Sequence, residues 1–330
     1  MLEVSRAGQS SATEERKDVK ILLIEYAVGT GDKGIIKEGR AMLKTLAHSF
    51  TALGHQVYYP AKEEERIPGI AVRGEFFRTV EKLSERCDAA LVIAPERDDI
   101  LYELTSIIED GTVNLGSPPN AVKNCSDKLK TTNILLSNGI KAPEMIEKEE
   151  WRANEEWKKF VLKPRFGCGS KGVMVVSDPQ TKKEGSTQTK KEGSILTRYI
   201  EGEEISASLI VGEDEVLPLT VNEQLISIDG GINYLGGIVP YRTERWNEIM
   251  SISVETARIM ECRGYVGIDI ILSDEPYVVD VNPRPTTSIV GIDKAINFEL
   301  ADLILRGKFG GLPPKVEIRG EHKFLLEEFD

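Results

Sequence analysis

The 330-residue chain has few of the residues on which metal centres and covalent catalysts most often depend. It contains four cysteines and three histidines, which are widely scattered and include no CxxC pair. A structural zinc site needs such ligands at close spacing, and a disulfide framework needs cysteines that pair, so neither is indicated. A Ser/His/Asp or Cys/His hydrolase is disfavoured for the same reason. Any chemistry must therefore rest on lysine, arginine, carboxylates and backbone groups.

The chain also lacks an excess of positive charge and any long apolar run. Lys and Arg number 42 and Asp and Glu number 54, which gives a net charge of −12. This charge opposes binding to nucleic acid or to an anionic membrane surface. No apolar run approaches the roughly 20 residues that span a bilayer. From the charge and the lack of a long apolar run we expect no nucleic-acid or membrane partner. Residues 1–18 are polar and contain no signal-peptide core, so we expect a disordered leader and a cytoplasmic protein.

Apolar strands and amphipathic helices alternate over residues 19–119, which predicts a parallel sheet with helices on both faces. A helix with Ser126 as its N-cap and Asp127 near its positive end opens a second section. This second section starts at Asn120, strand and helix patterns resume at Ser194 and continue to Pro313, and a charged tail, 314–330, follows. The segments TKKEGST (181–187) and TKKEGSI (189–195) are a near duplication, which is typical of a flexible surface insertion and receives no function.

The motif GTGDKG at 29–34 follows the first predicted strand, 19–27, where a dinucleotide fingerprint would lie. Alone, this motif is weak evidence. A nicotinamide site also needs an acidic residue at the end of the second strand, but that strand ends in Tyr59 and Pro60, and the nearest acid is Glu63. A dehydrogenase is therefore disfavoured, and a tight turn or a substrate-contacting loop remains.

The segment YVGIDIILSDEPYVVDVNPRP at 265–285 predicts an antiparallel hairpin. A turn at SDEP, 273–276, places Asp269 opposite Asp280, with Asn282 on the same face. The opposite face is apolar and consists of Ile268, Ile270, Leu272, Tyr277, Val279 and Val281. Opposed Cβ atoms lie about 4.5–5.5 Å apart, where two carboxylates repel unless a proton or a cation separates them. The three oxygen-bearing side chains predict a Mg²⁺ site beside phosphate oxygens, with a solvated polar face as the alternative.

A lysine followed by a glycine-rich loop predicts a phosphate site. Lys163 ends the strand FVLK and is followed by Gly167, Gly169, Ser170 and Gly172. Glycines let backbone N–H groups approach an anion, and the lysine supplies a fixed positive charge. The segment lacks the GxxxxGK[ST] of a P-loop, and a flexible turn is the alternative. Together with the hairpin, this loop indicates a nucleoside triphosphate between lysines on one side and a metal on the other.

Four ordered segments resemble the ATP-grasp superfamily of carboxylate–amine ligases. They are SDKLKTTNILLSNGIKAP, KPRFGCGSKGV, TRYIEGEEISASL, and GIDI followed by VVDVNPR, and they cover about residues 120–290. The resemblance implies an α/β fold, in which the ATP-grasp part is of the α+β type. In that fold an N-terminal parallel-sheet domain, 19–119, precedes a small ATP-binding subdomain, 120–199, and a C-terminal ATP-grasp subdomain, 200–313, and the two subdomains clamp the nucleotide.

The resemblance also implies the roles of individual residues. Lys163 and Arg284 resemble the family's catalytic residues, and Arg284 matches the arginine that faces the transferred phosphate or the acyl intermediate. Residues 197–200 resemble the hinge whose backbone reads adenine, and Glu204 matches the partner of the ribose hydroxyls. The implied nucleotide-binding set is Lys128, Lys163, Gly167, Gly169, Ser170, Gly172, Thr197, Arg198, Tyr199, Ile200 and Glu204. The implied metal ligands are Asp269, Asp280 and Asn282.

The activity implied by this resemblance is the ATP-dependent joining of a small-molecule carboxylate to an amine. The reaction would pass through an acyl phosphate, with Mg²⁺ or Mn²⁺ and no covalent enzyme intermediate. The identity of the two substrates and a homo-oligomeric state stay open. A non-catalytic nucleotide-binding subunit is the alternative from another class, although such a protein would be expected to have lost a metal ligand or Arg284, and both are present.

Overall fold

The structure is a computed structural model that describes residues 19–146, 157–167, 169–177, 193–228 and 231–330. The predicted leader, 1–18, and all of the duplicated segment except its last three residues lie outside the described residues. The described chain contains three β-sheets and has the predicted mixed α/β fold. Within it, no helix combines the length and apolar character needed to cross a membrane.

The first sheet is parallel, and its strand order is β3-β2-β1-β4-β5. Its strands are β1 Lys20–Glu25, β2 Gln56–Pro60, β3 Ile70–Val72, β4 Ala89–Ile93 and β5 Val113–Asn114. The helices of this section are α1 Tyr26–Thr30, α2 Ile36–Ala52, α3 Phe76–Ser84 and α4 Ile100–Gly111. Side chains of β1 alternate between two cores: Ile21 and Leu23 pack on the side of α2, and Leu22 and Ile24 on the side of α3 and α4. The prediction of helices on both faces is confirmed.

The predicted first strand is too long, because the chain turns into α1 directly after Glu25. The Glu25 carboxylate accepts a hydrogen bond from the Val28 N–H at 2.7 Å and caps that helix. Gly31 ends it with a φ of 81°, which a glycine adopts without strain. A side chain at Gly29 would collide with the ring of Phe76, 2.2 Å from the added Cβ. The glycines of GTGDKG therefore serve a short helix and close packing.

Two helices, α5 Pro119–Ser126 and α6 Lys128–Ser137, lead into the second section. The predicted cap Ser126 is wrong, because Ser126 ends α5 and its hydroxyl donates to the Val122 carbonyl. Asp127 caps α6 instead and accepts from the N–H groups of Leu129 and Lys130. A carboxylate at this position also suits the positive end of the helix.

The second and third sheets are antiparallel. The four-stranded sheet has the order β6-β9-β7-β8, with β6 Met145–Ile146, β7 Phe160–Pro164, β8 Met174–Val176 and β9 Ser194–Arg198. The six-stranded sheet has the order β14-β13-β10-β11-β12-β15. Its strands are β10 Glu203–Val211, β11 Val216–Ile228, β12 Ile232–Val239, β13 Gly264–Leu272, β14 Pro276–Asn282 and β15 His322–Leu325. The helices of this part are α7 Trp246–Ile259, α8 Ile289–Ala295 and α9 Leu300–Phe309.

The hairpin of β13 and β14 has the predicted pairing only near the acids. Asp269 faces Asp280 as predicted, but Ile270 faces Val278, so Val279 is an extra residue in β14. Such a bulge reverses the faces of the residues beyond it. The prediction that Tyr277 and Val279 belong to the buried apolar face is therefore wrong. Pro276 and Val278 are buried in their place.

The segment 314–330, predicted as a plain charged tail, contains β15, which pairs with β12 at the edge of the six-stranded sheet. Phe324 in β15 is 6 % exposed and stacks on Phe329, with ring centroids 6.0 Å apart. Its ring also lies over Gly237 and Gly291, where a side chain would be within 3.5 Å. The tail thus contributes an aromatic side chain to the core.

We expect Phe324→Ala to lower the free energy of unfolding by about 3 kcal/mol, because it removes a buried ring and leaves a cavity. Urea denaturation followed by circular dichroism measures the change. Phe309→Ala is the matched control, because Phe309 is 66 % exposed and its removal should cost less than about 0.5 kcal/mol. Equal effects of the two variants would show that β15 adds nothing to the core.

Candidate active site

A cavity of about 290 Å³ lies where the three sheets meet. The sequence-predicted site residues that line it are Lys128, Lys163, Gly167, Gly169, Ser170, Thr197, Arg198, Tyr199, Ile200, Glu204, Asp269, Asp280, Asn282 and Arg284. Gly172 does not line it. Its φ is 79°, and a Cβ there would lie 3.2 Å from the Pro164 ring, so it is a turn residue of the loop. The fold thus gathers residues that are distant in sequence around one cavity.

The two opposed carboxylates are held by neighbouring donors. Asn282 Nδ2 donates to Asp269 Oδ2 at 3.0 Å, and Gln224 Nε2 donates to Asp269 Oδ1 at 2.9 Å. Lys128, the first residue of α6, forms an ion pair with Asp280. Burial lowers the pKa of Lys128, but the neighbouring Asp280 carboxylate raises it, and the net effect is a raised pKa. Sequence reasoning missed Gln224, because nothing in the pattern of β11 points to Asp269.

The acid pair carries an electrostatic cost that a cation would offset. Burial and the neighbouring Asp280 charge raise the pKa of Asp269 to about 6. No group of three or more His, Cys, Asp or Glu side chains that could hold a metal is found in the part of the chain that the structure describes. The candidate set is therefore two carboxylates and the Asn282 amide. These are hard oxygen donors, and the set fits Mg²⁺ or Mn²⁺ that also takes ligands from phosphate.

Lys163 lies at the end of β7 and lines the same cavity. Its side chain is buried, and Nζ donates to the carbonyl of Val279 at 3.2 Å. Val279 is the bulge residue of β14, so the bulge presents a carbonyl to this lysine. Burial and the nearby positive charge of Lys128 lower the pKa of Lys163 to about 8. A phosphate oxygen beside Nζ would favour the charged ammonium form.

The glycine-rich loop is anchored at both ends. Arg165 binds Asp127 through two hydrogen bonds of 2.7 and 2.6 Å, and its carbonyl accepts from the Lys128 N–H at 3.0 Å. Lys171 Nζ donates to the Gly34 carbonyl of the GTGDKG segment at 3.0 Å. Cys168 lies outside the described residues. These contacts hold the loop beside the start of α6 and against the first sheet.

The hinge segment borders the cavity, but two of its N–H groups are already bonded to protein. Arg198 N–H donates to the Glu144 carbonyl, and Tyr199 N–H donates to the Lys159 carbonyl. An adenine ring would therefore be read by other groups of this segment. Thr197 is buried and Glu204 is partly exposed.

Three carboxylates of the first section lie near the cavity, and sequence reasoning missed their place in the site. Glu96 forms a buried bidentate pair with Arg284, at 2.7 and 3.0 Å. Glu25 and Glu38 line the cavity, and Thr287 donates to Glu38 at 3.4 Å. Glu25 ends β1 and Glu96 closely follows β4. Ligand sites form at the carboxyl ends of parallel strands, and this rule could have identified both residues.

Comparison with known proteins identifies the family of this chain. An ATP-grasp domain model matches residues 125–288, and a pre ATP-grasp 3 domain model matches residues 50–122. A solved ATP-grasp superfamily protein from Archaeoglobus fulgidus superposes with a TM-score of 0.72 and 30 % identity, covering 91 % of each chain. The chain belongs to the ATP-grasp superfamily.

Curated relatives make the class of reaction plain. The tyramine–L-glutamate ligase of Methanocaldococcus fervens is 33 % identical over 303 residues, which are 87 % of this chain and 93 % of that protein. The tyramine–L-glutamate ligase of Methanocaldococcus jannaschii is 31 % identical over 325 residues, 93 % and 94 % of the two chains. This protein is an ATP-dependent carboxylate–amine ligase, and the non-catalytic alternative is set aside.

We expect Lys163→Met to worsen the KM for ATP or kcat by roughly 10-fold to 100-fold. A charge-assisted hydrogen bond to phosphate is worth about 1.5–3 kcal/mol, and methionine keeps the stem but loses the charge. Steady-state ADP release measures both constants. Lys158→Met is the control, because Lys158 is exposed just before the same strand. Unchanged ATP kinetics in Lys163→Met would refute the phosphate role.

The buried carboxyl of Glu25 predicts a specific pH dependence of stability. Burial raises its pKa from the ordinary value of 4.5 to about 7. Between these values the folded protein keeps a proton that the unfolded chain has lost, so stability falls as pH rises. The free energy of unfolding of wild type, minus that of Glu25→Gln, should therefore fall between about pH 5 and about pH 8. The expected fall is about 1.4 kcal/mol per unit of pKa difference.

Urea denaturation at the two pH values measures this difference. Glu75→Gln is the matched control, because Glu75 caps α3 in the same way but is exposed. The Glu75→Gln variant shows what loss of an exposed helix-cap carboxylate does under the same conditions. A difference between wild type and Glu25→Gln that does not change with pH would mean that burial does not keep a proton on Glu25 in the folded protein.

Proposed function

We propose that this ligase joins the γ-carboxylate of L-glutamate to the amine of tyramine, a step of methanofuran biosynthesis. The observation that carries the proposal is the identity of 33 % over 93 % of the length of a tyramine–L-glutamate ligase. The sequence also resembles these ligases in LLIEYAVGTG, in IAPE at 93–96, in VNEQLI at 221–226, in YLGGIVP at 234–240 and in NPRPTTS at 282–288. Several of these segments supply residues that line the cavity.

The proposed reaction has two steps, and neither needs a protein nucleophile. A γ-carboxylate oxygen of glutamate attacks the terminal phosphorus of ATP, and ADP leaves. The amine nitrogen then attacks the acyl carbon, phosphate leaves, and the nitrogen loses a proton to give the amide. Lys128, Lys163 and Arg284 stabilise the negative charge on the transferred group.

The acid pair supports a role for a divalent cation in this reaction. Asp269, Asp280 and Asn282 would hold Mg²⁺ or Mn²⁺, which would neutralise phosphate charge and orient the terminal phosphoryl group. Lys128 now pairs with Asp280. Its ammonium contacts Asp280 and lines the cavity, so the same side chain can also contact phosphate oxygens.

A screen of ADP release tests the proposal. The purified protein is given ATP, Mg²⁺ or Mn²⁺, and amino acids paired with amines, including glutamate with tyramine. We expect ADP release only when a carboxylate substrate and a divalent cation are both present, and the greatest kcat/KM with glutamate and tyramine. Faster turnover with another pair would overturn the substrates but leave the ligase class intact.

Asn282→Ala tests, in the same assay, whether the acid face holds a divalent cation. We expect this variant to lose nearly all turnover but still to fold, with a lower melting temperature, because Asn282 is buried and its amide donates to Asp269. Wild-type turnover with unchanged metal dependence would show that the acid face holds no metal. Nicotinamide turnover without ADP formation would instead overturn the ligase reaction.

A further inference from the structure

Glu96 is a buried carboxylate to which the reaction above gives no role. It lies three residues beyond β4, a strand whose residues are all buried, and it is 5 % exposed. Ala94 and Pro95, which precede it, line the cavity. A buried carboxylate is stable only if it is paired and hydrogen-bonded, so the partner of Glu96 is what determines its role.

That partner is Arg284, which is carried by a different sheet. Arg284 Nε and Glu96 Oε1 are 2.7 Å apart, and Arg284 Nη2 and Glu96 Oε2 are 3.0 Å apart. Such a two-point contact fixes the plane of a guanidinium as well as its distance. The backbone of Arg284 is also restrained, because Pro283 and Pro285 flank it, and Nη1 donates to the Pro285 carbonyl at 3.1 Å.

We propose that Glu96 is a positioning residue that holds the Arg284 guanidinium in the orientation needed for transfer of the terminal phosphate. This inference rests on the proposed function, in which Arg284 faces the transferred group. Preorganised charge accelerates a reaction because the protein need not reorganise when charge develops. A flexible arginine would lose rotamer freedom at each turnover, whereas the paired guanidinium has already lost it.

The contact also joins two parts of the fold. Glu96 follows a strand of the parallel sheet, and Arg284 follows β14 of the six-stranded sheet, 188 positions further along the chain. The first sheet therefore positions an arginine that follows a strand of the six-stranded sheet. Glu25 and Glu38, also from the first section, attract Arg284 electrostatically. Glu96 adds the directional contact.

The test is a double-mutant cycle measured by ADP release, with thermal unfolding recorded for each variant. Glu96→Gln keeps the size of the side chain but removes its charge. We expect kcat to fall about 10-fold to 100-fold, with the KM for ATP changed less than about threefold. In the Arg284→Lys background the same change should lower kcat less than about threefold, because lysine cannot form the two-point contact.

Glu248→Gln is the matched control, because Glu248 on α7 forms a bidentate pair with Arg245, which precedes that helix, and neither residue lines the cavity. This variant should leave kcat and KM unchanged. If Glu96→Gln lowers kcat equally in both backgrounds, Glu96 does not act through Arg284 and the inference is wrong. If Arg284→Lys alone keeps wild-type turnover, the proposed role of Arg284 fails instead.

Glu96→Asp keeps the test valid if Glu96→Gln does not fold. Aspartate retains the charge but is one methylene shorter, so it can pair with Arg284 only in a displaced position. We expect a folded protein with kcat between those of wild type and Arg284→Lys. Wild-type kcat in Glu96→Asp would overturn the inference, because orientation would then not matter.

Discussion

The repulsion between Asp269 and Asp280 is the constraint on which the rest of the site depends. Two partly buried carboxylates on facing strands are unfavourable unless donors or cations surround them. Here α6 contributes Lys128, β11 contributes Gln224, and β14 contributes Asn282. Three elements from different parts of the chain therefore meet at one point. Each of these three side chains also borders the cavity, so the contacts that compensate the acid pair also help to shape the cavity.

The β-bulge at Val279 links this acid pair to Lys163. A regular strand would have continued the alternation of buried and exposed residues through Tyr277. The extra residue instead interrupts the pairing directly beside Asp280, and the Val279 carbonyl accepts the hydrogen bond from Lys163. A departure from the regular pattern thus occurs where the site needs a backbone group, as is common for functional positions.

Much of the fold and part of the site could be predicted from the sequence because they depend on local patterns. Alternating β and α segments predicted the parallel sheet, and the short turn predicted that Asp269 faces Asp280. The bulge was missed, since it depends on how the backbones of β13 and β14 pair and not on side-chain type. The cap of α6 was assigned one residue early because the preceding helix, α5, was not recognised. Glu96 was missed because its partner lies 188 positions away.

Positive and negative side chains lie on different sides of the cavity. Lys128 and Lys163 lie on the side of the glycine-rich loop, whereas Glu25 and Glu38 lie on the side of the first sheet. In a cleft of low dielectric, the electrostatic potential differs strongly between regions of opposite charge. A polyanionic nucleotide is therefore favoured at the lysine side and opposed at the glutamate side. Arg284 lies at the glutamate side, where Glu96 binds it and Glu25 and Glu38 attract it, so its positive charge offsets part of the repulsion that a phosphate would meet there.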